Sequence, residues 1–193
     1  IPSDPTLENF RSVLADTPLP LWIFNSVAFS TLSMVAIVIT SAIAGYVLAK
    51  FPFRSLNIIF MLILATAIVP FEVYMIPLYF QAQALGVLNS LWGLLLGYLV
   101  MSFGIFLVRG ALGALAVLAF FQAWTSFAWP MIVTTTRDSY TIEVGLALFQ
   151  TGFTVDLGRL SAASAAVLVP SITLFVILRR NFVQGVASTG MKE

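Results

Sequence analysis

Residues 85–133 read LGVLNSLWGLLLGYLVMSFGIFLVRGALGALAVLAFFQAWTSFAWPMIV, and Arg109 is the only charged side chain among them. As one helix, at about 1.5 Å per residue, this stretch would run to roughly 70 Å. The hydrocarbon core of a bilayer is only about 30 Å thick. The stretch therefore folds back on itself. Arg109-Gly110, a cation beside a helix breaker, is the one credible turn. The result is a pair of spans, about 88–108 and 111–133.

Moving outward, three further apolar runs reach membrane-crossing length: Leu21 to Ala49, Leu56 to Phe80, which holds Pro70 and Pro77, and Leu160 to Leu178. Five spans follow, about 21–49, 56–80, 88–108, 111–133 and 160–178. None alternates apolar with polar residues as a barrel strand does, and runs apolar on every side are those of buried or lipid-facing helices. The expected fold is an all-α polytopic transmembrane helical bundle. Residues 1–20 form an extracytoplasmic loop, 21–181 the membrane domain and 182–193 a cytoplasmic tail.

Composition agrees. Of 193 residues, 60% are hydrophobic and only 9% charged, with a mean hydropathy of +1.03. Soluble domains carry about 25% charged residues, so this chain lacks the charge to cover a water-facing surface. Its apolar content excludes disorder, and a net charge of +1 offers no basic field for nucleic acid. With no cysteine there is no disulfide framework, thiolate metal site or thiol nucleophile. With no histidine, the commonest metal ligand and general base are also missing. No Gly-rich loop ends in Gly-Lys-Ser/Thr, and neither Ser-x-x-Lys nor Gly-x-Ser-x-Gly occurs. We therefore expect no catalytic residue, no metal site and no cofactor.

Charge sets the expected orientation. With five alternating spans, Lys50, Arg54, Arg109, Arg179, Arg180 and Lys192 share one side, which the positive-inside rule makes cytoplasmic. Arg11, Arg137 and Arg159 lie on the other side, with Asp4, Glu8, Asp16, Asp138, Glu143 and Asp156. The N-terminus as given is then outside and the C-terminus inside. Ile1 to Pro20 lacks the basic start and apolar core of a signal peptide. It reads as a loop following a first span that precedes this sequence.

Within the spans, polar residues are few. On 21–49, Ser26, Ser30, Ser33, Ser41, Ala44 and Gly45 share one helical face, as expected of close helix packing in lipid. Gly93 and Gly97 form a small-xxx-small pair with the same reading. On 111–133, Gln122, Thr125, Ser126 and Trp129 fall at i, i+3, i+4 and i+7, ahead of Pro130. A buried amide without a partner is costly, so this stripe faces protein or water. It is either an interhelical hydrogen bond or a wall of a solute path. Amides, hydroxyls and aromatic rings suit a hydroxylated neutral solute. Glu72, between Pro70 and Pro77, is the only carboxylate within a span. It is read as interfacial or loop-stabilising, or as lining a path, because a coupling-ion carboxylate would want titratable company in the spans. Trp22, Tyr74, Tyr79, Trp92 and Trp129 are expected mostly in an aromatic belt. Tyr140 to Thr154 is too short and polar to span, and is expected as a short interfacial or re-entrant helix.

Several strings also occur in a shared order. They are Asn9-Phe10, Trp22-Ile-Phe-Asn25-Ser26, Ala44-Gly45-Tyr46 through Phe53-Arg54, and Val69-Pro70-Phe-Glu72-Val-Tyr-Met75-Ile76-Pro77-Leu78-Tyr79. Leu85-Gly86-Val-Leu-Asn89-Ser90 and Phe103-Gly104-Ile-Phe-Leu-Val-Arg109 follow. Next come Phe121-Gln-Ala-Trp124-Thr-Ser-Phe-Ala-Trp129-Pro130, Val144-Gly145-Leu146, Arg180-Asn-Phe182-Val183-Gln184-Gly185 and Gly190-Met191-Lys192. Together they resemble the permease subunit of carbohydrate-type binding-protein-dependent ABC importers, the maltose and glycerol-3-phosphate transport family, along nearly the whole chain. The resemblance implies a six-helix core paired with a second permease subunit as a heterodimer. It also implies two cytoplasmic ATP-binding subunits, an extracytoplasmic solute-binding protein, and alternating access driven by ATP in a bacterial-type inner membrane. By analogy, Arg109, Arg180, Phe182 and Gly185 would touch the ATPases, while Gln122, Thr125, Ser126, Trp129 and Glu72 would line the solute path.

The chain departs from that pattern at one place. The family carries a cytoplasmic loop with a Glu-Ala-Ala…Gly motif that docks into the ATPase. Here Arg109-Gly110 runs straight into Ala111-Leu112-Gly113-Ala114, and no Glu-Ala-Ala string occurs. The expectation is a bundle of about five spans without the docking loop or the first span of the six-helix core. Two alternatives remain: an ion-coupled secondary transporter, and a non-transporting membrane scaffold or remnant.

Overall fold

The computed structural model describes residues 6–51, 54–107, 112–151 and 154–190. Its helices are α1 (Glu8–Asp16), α2 (Leu19–Lys50), α3 (Arg54–Thr66), α4 (Phe71–Ala84), α5 (Leu91–Leu96) and α6 (Ser102–Leu107). They continue with α7 (Leu112–Trp124), α8 (Ala128–Val133), a 3-10 turn at Arg137–Ser139 and α9 (Ile142–Ala147). Two-residue strands β1 (Gln150–Thr151) and β2 (Thr154–Val155) pair antiparallel ahead of α10 (Leu157–Gly190). Apart from that hairpin the described chain is all-α.

The long helix α2 is the axis of the molecule. It starts with Pro20 in its first turn, where a missing N–H costs nothing. It buries Ser26, Ser30, Ser33, Ile37, Ser41 and Gly45, steps of three and four along one face. Chiefly α7 packs there, with α5, α6 and α9 beside it. Small side chains allow the approach: a Cβ added at Gly104 of α6 would lie 2.7 Å from Ser41 Oγ. The opposite face of α2 leaves Phe24, Leu32, Val35, Ile39 and Ile43 exposed, as does the outer face of α10 with Ile172, Phe175 and Ile177. Large contiguous apolar surface of this kind is the surface of a membrane protein.

Two helices, Leu19–Lys50 and the Leu157–Ile177 part of α10, are long and apolar enough to cross a membrane. The pair α3 and α4, bent by 92°, makes a third if it is one broken span. Three of the five expected spans are interrupted, the first of them where Pro70 and Pro77 lead one to expect a kinked or broken helix. The 56–80 run breaks at residues 67–70, where Pro70 offers no N–H and disfavours helix at Val69. The 111–133 run breaks at 125–127, one turn before Pro130, whose ring clashes with the carbonyl four residues back. The 88–108 run divides into α5 and α6 after Gly97, which sits beneath the Trp129 indole. The turn expected at Arg109-Gly110 lies outside the described residues.

Residues 1–20, expected as an extracytoplasmic loop, hold α1 and the start of α2. Residues 182–190, expected in a tail, continue α10. Arg159 of α10 holds α1 in place: its guanidinium donates to Ser12 Oγ (2.7 Å from Nε) and pairs with the Asp16 carboxylate.

The segment after α8 clamps the start of α2. Trp22 Nε1 donates to the Arg137 carbonyl (2.7 Å), and Asn25 Nδ2 donates to the carbonyls of Asp138 (2.8 Å) and Tyr140 (3.0 Å). Ser26 Oγ accepts from the Ile142 N–H (2.8 Å). The indole of Trp22 lies against Gly145, where a Cβ would come within 2.1 Å of the ring. The stretch 140–154 is thus a short helix followed by the hairpin. Trp22, expected in the aromatic belt, is instead fully buried beneath it. Trp92, 71% exposed, keeps the position of a belt residue.

Candidate functional site

All three helix breaks meet at one open cavity of about 510 Å³. Thr66, Ala67 and Val69 come from the break between α3 and α4, and Gly97, Tyr98, Val100 and Met101 from the break between α5 and α6. Thr125, Ser126 and Phe127 come from the break between α7 and α8. Ile37, near the midpoint of α2, forms part of the wall, so the cavity lies level with the middle of the longest membrane-crossing helix. Interrupted helices at mid-membrane depth are tolerated only where the freed backbone groups face protein or a water-filled cavity. A volume of this size is in the range that encloses small molecules.

Aromatic rings build one side. Phe71 meets Trp129 edge-on at 5.9 Å between centroids and Tyr74 at 5.0 Å. Tyr98 lies edge-on to Phe29 at 5.2 Å. Hydroxyls secure the breaks. Tyr98 OH donates to Ser126 Oγ (2.7 Å), Thr40 Oγ1 donates to the Leu99 carbonyl (3.2 Å), and Thr66 Oγ1 and Ser102 Oγ lie 2.7 Å apart, bridging α3 and α6.

The five residues read as path-lining, Glu72, Gln122, Thr125, Ser126 and Trp129, all line this cavity, but they differ in how they stand there. Gln122, Thr125 and Glu72 are exposed to it. Among the described residues, no hydrogen bond or ion pair engages the Gln122 amide or the Glu72 carboxylate, so the interhelical bond considered for Gln122 is not made. Thr125 Oγ1 donates to the Phe121 carbonyl (2.9 Å) and keeps acceptor capacity. Ser126 and Trp129 are buried wall. Trp129 Nε1 donates to the carbonyls of Leu94 (3.0 Å) and Gly93 (3.2 Å), so its polar edge is already used. Gly93 and Gly97, the small-xxx-small pair, receive that indole.

Sequence reading missed Thr66, Phe71, Tyr74, Tyr98 and Ser102. Pro70 was the available signal for the first three; nothing comparable marks the Gly97–Met101 break. Of the residues assigned to ATPase contact by analogy, Arg109 lies outside the described residues. Arg180, Phe182 and Gly185 follow the backbone of α10 through a part whose side chains are outside the described set. No group of three or more candidate metal ligands occurs among the described residues.

No protein-family model matches the chain. It is 27% identical to the arabinooligosaccharides transport system permease protein AraQ of Halalkalibacterium halodurans over 226 residues, covering 99% of this chain and 81% of that protein. It is 28% identical to the sulfoquinovosyl glycerol transport system permease protein SmoH of Agrobacterium fabrum over 227 residues, 99% of this chain and 80% of that one. The lactose transport system permease protein LacG of Rhizobium radiobacter is 24% identical over 212 residues, covering 92% and 78%. The matched stretch of AraQ, at 226 residues, exceeds the 193 of this whole chain, so AraQ holds internal residues with no counterpart here. Similarity that runs nearly end to end, on an all-α protein with membrane-crossing helices, is to the permease proteins of sugar transport systems, in line with the family its motifs resemble.

Proposed function

We propose that the cavity at the three helix breaks is this subunit's share of a solute path for a sugar or related polyol. The observation that carries this reading is the unengaged Gln122 amide, exposed beside Thr125 at mid-membrane depth against an aromatic wall. Hydroxyl-rich solutes need donors and acceptors in number, and their C–H faces suit aromatic rings. Glycosides are the cargo in the names of the relatives, which supports the same class. The chain has no machinery to hydrolyse ATP, so two cytoplasmic ATP-binding subunits would supply energy. A second permease subunit would complete the path, a solute-binding protein outside would deliver the cargo, and transport would proceed by alternating access. In this reading the Leu19 end of α2 lies outside and the Lys50 end inside, following the cation bias.

The absence of cysteine makes the path directly testable, because any introduced thiol is unique. Gln122→Cys and Thr125→Cys in membrane vesicles should react with a membrane-impermeant maleimide. Phe175→Cys, on the exposed apolar face of α10, should not. Labelling of Phe175→Cys with Gln122→Cys inert would reverse the assignment of water and lipid faces.

A second reading has its own observation. The internal shortfall against the relatives fits the direct junction of Arg109-Gly110 with Ala111, where the ATPase-docking loop is expected. We infer that the missing residues belong there, which makes this exact chain a non-transporting remnant of a permease.

A further inference from the structure

Building on the reading of the cavity as a solute path, we propose that Glu72 makes it selective by charge. It admits uncharged or cationic glycosides, such as amino sugars, and turns away anionic ones.

Among the described residues, Glu72 is the only charged side chain lining the cavity. Its neighbours there are hydroxyls, one amide, aromatic rings and aliphatic side chains, and no Lys or Arg balances it. Nor does an ion pair within the fold neutralise it: the described pairs all belong to Arg159, which joins α10 to α1 and to Asp156. Glu72 stands in the first turn of α4, where the helix dipole favours negative charge. The carboxylate therefore sits at the cavity wall with its acceptor oxygens open.

A single charge is enough to discriminate. At an effective dielectric constant of about 40 and a separation of about 6 Å, it changes the local concentration of a monovalent ion by about tenfold. Opposite signs shift in opposite directions. A sugar sulfonate, phosphate or uronate meets repulsion with no cation to offset it. A protonated amino sugar meets attraction, and a neutral sugar finds two acceptor oxygens for its hydroxyls.

The test reads the potential in the cavity without needing the natural cargo. Gln122→Cys is made in the full-length chain, reconstituted in vesicles, and reacted with two small methanethiosulfonates. One carries a trimethylammonium group and the other a sulfonate. The ratio of their rates, cationic over anionic, is compared with the ratio for a free thiol in solution. We expect it to exceed the free-thiol ratio by about a hundredfold, about tenfold for each sign of charge, to fall toward it in Glu72→Gln and to be retained in Glu72→Asp. The conservative Asp variant separates loss of charge from loss of fold. A ratio at or below that of the free thiol overturns the proposal, as does a raised ratio that Glu72→Gln leaves unchanged. If Gln122→Cys reacts with neither reagent, the solute-path reading fails and this inference fails with it. Reaction without charge preference removes the selectivity alone.

Discussion

Glu143 shows how one side chain can report on the clamp over α2. It lies in the first turn of α9, half-buried, and burial pushes its carboxyl above the ordinary carboxylate range. A carboxyl whose pKa is higher folded than unfolded binds its proton more tightly in the native state. Stability is then greatest at low pH and declines as pH rises from the unfolded value through the folded one. Glu143→Gln should therefore raise the thermal midpoint of the detergent-solubilised protein at pH 7 and leave it nearly unchanged at pH 4. A variant less stable than the parent at pH 7 would contradict this. Burial of this kind could not be read from the sequence, where Glu143 counts only as one more acid on the outer side. The same holds for Trp22 and Trp129. At span ends a tryptophan reads as a belt residue, and only the partners of its N–H, the Arg137 carbonyl for one and Gly93 and Leu94 for the other, show that both are anchors.

At the scale of elements, the apolar runs were legible and their interruptions only partly so. Pro70 and Pro130 mark two of the three breaks, because proline removes a donor and crowds the preceding turn. The third, after Gly97, depends on how α8 packs its indole, which no local pattern encodes. The Gln122, Thr125, Ser126 and Trp129 stripe was found by counting along one continuous helix, although the helix ends at Trp124. The residues share a cavity because the break turns α8 beside α5, so the spacing gave the right set for an incomplete reason. Asn89 illustrates the joints between elements. Its backbone is left-handed (φ 56°), and Oδ1 accepts from the N–H groups of Thr135 (2.5 Å) and Thr136 (3.1 Å), tying the approach to α5 to the exit from α8. Asn89→Gly loses the hydrogen bonds alone, each worth about 0.5–1.5 kcal/mol net. Asn89→Ala adds about 1–2 kcal/mol for the left-handed conformation. Thermal unfolding should rank the parent above Asn89→Gly and Asn89→Gly above Asn89→Ala; reversal of the two variants would show that the loop relaxes out of this conformation.

For the whole molecule, the decisive feature is the mismatch between a nearly complete family resemblance and a shortened interior. The residues that build the cavity, the clamp and the α2–α7 core are all present among the described residues. Coupling is different. An ATPase drives alternating access only through differential contacts with the two states of the permease, and those contacts require a surface on the cytoplasmic side. On the reading proposed above, the residues lacking where Arg109-Gly110 joins Ala111 are the ones that would provide that surface. We expect this chain, co-expressed with the second permease and ATP-binding subunits of a matched system, to reach the membrane and fold. It should not pull down the ATP-binding subunits or support ATP-dependent sugar uptake. Inserting the corresponding internal segment of a relative between Gly110 and Ala111 should restore both. Normal ATPase binding by the unmodified chain would show that docking runs through other surfaces, with the far end of α10, at Arg180 to Gly185, the first to examine by substitution. Failure of the insertion despite correct membrane targeting would place the lost residues elsewhere in the chain.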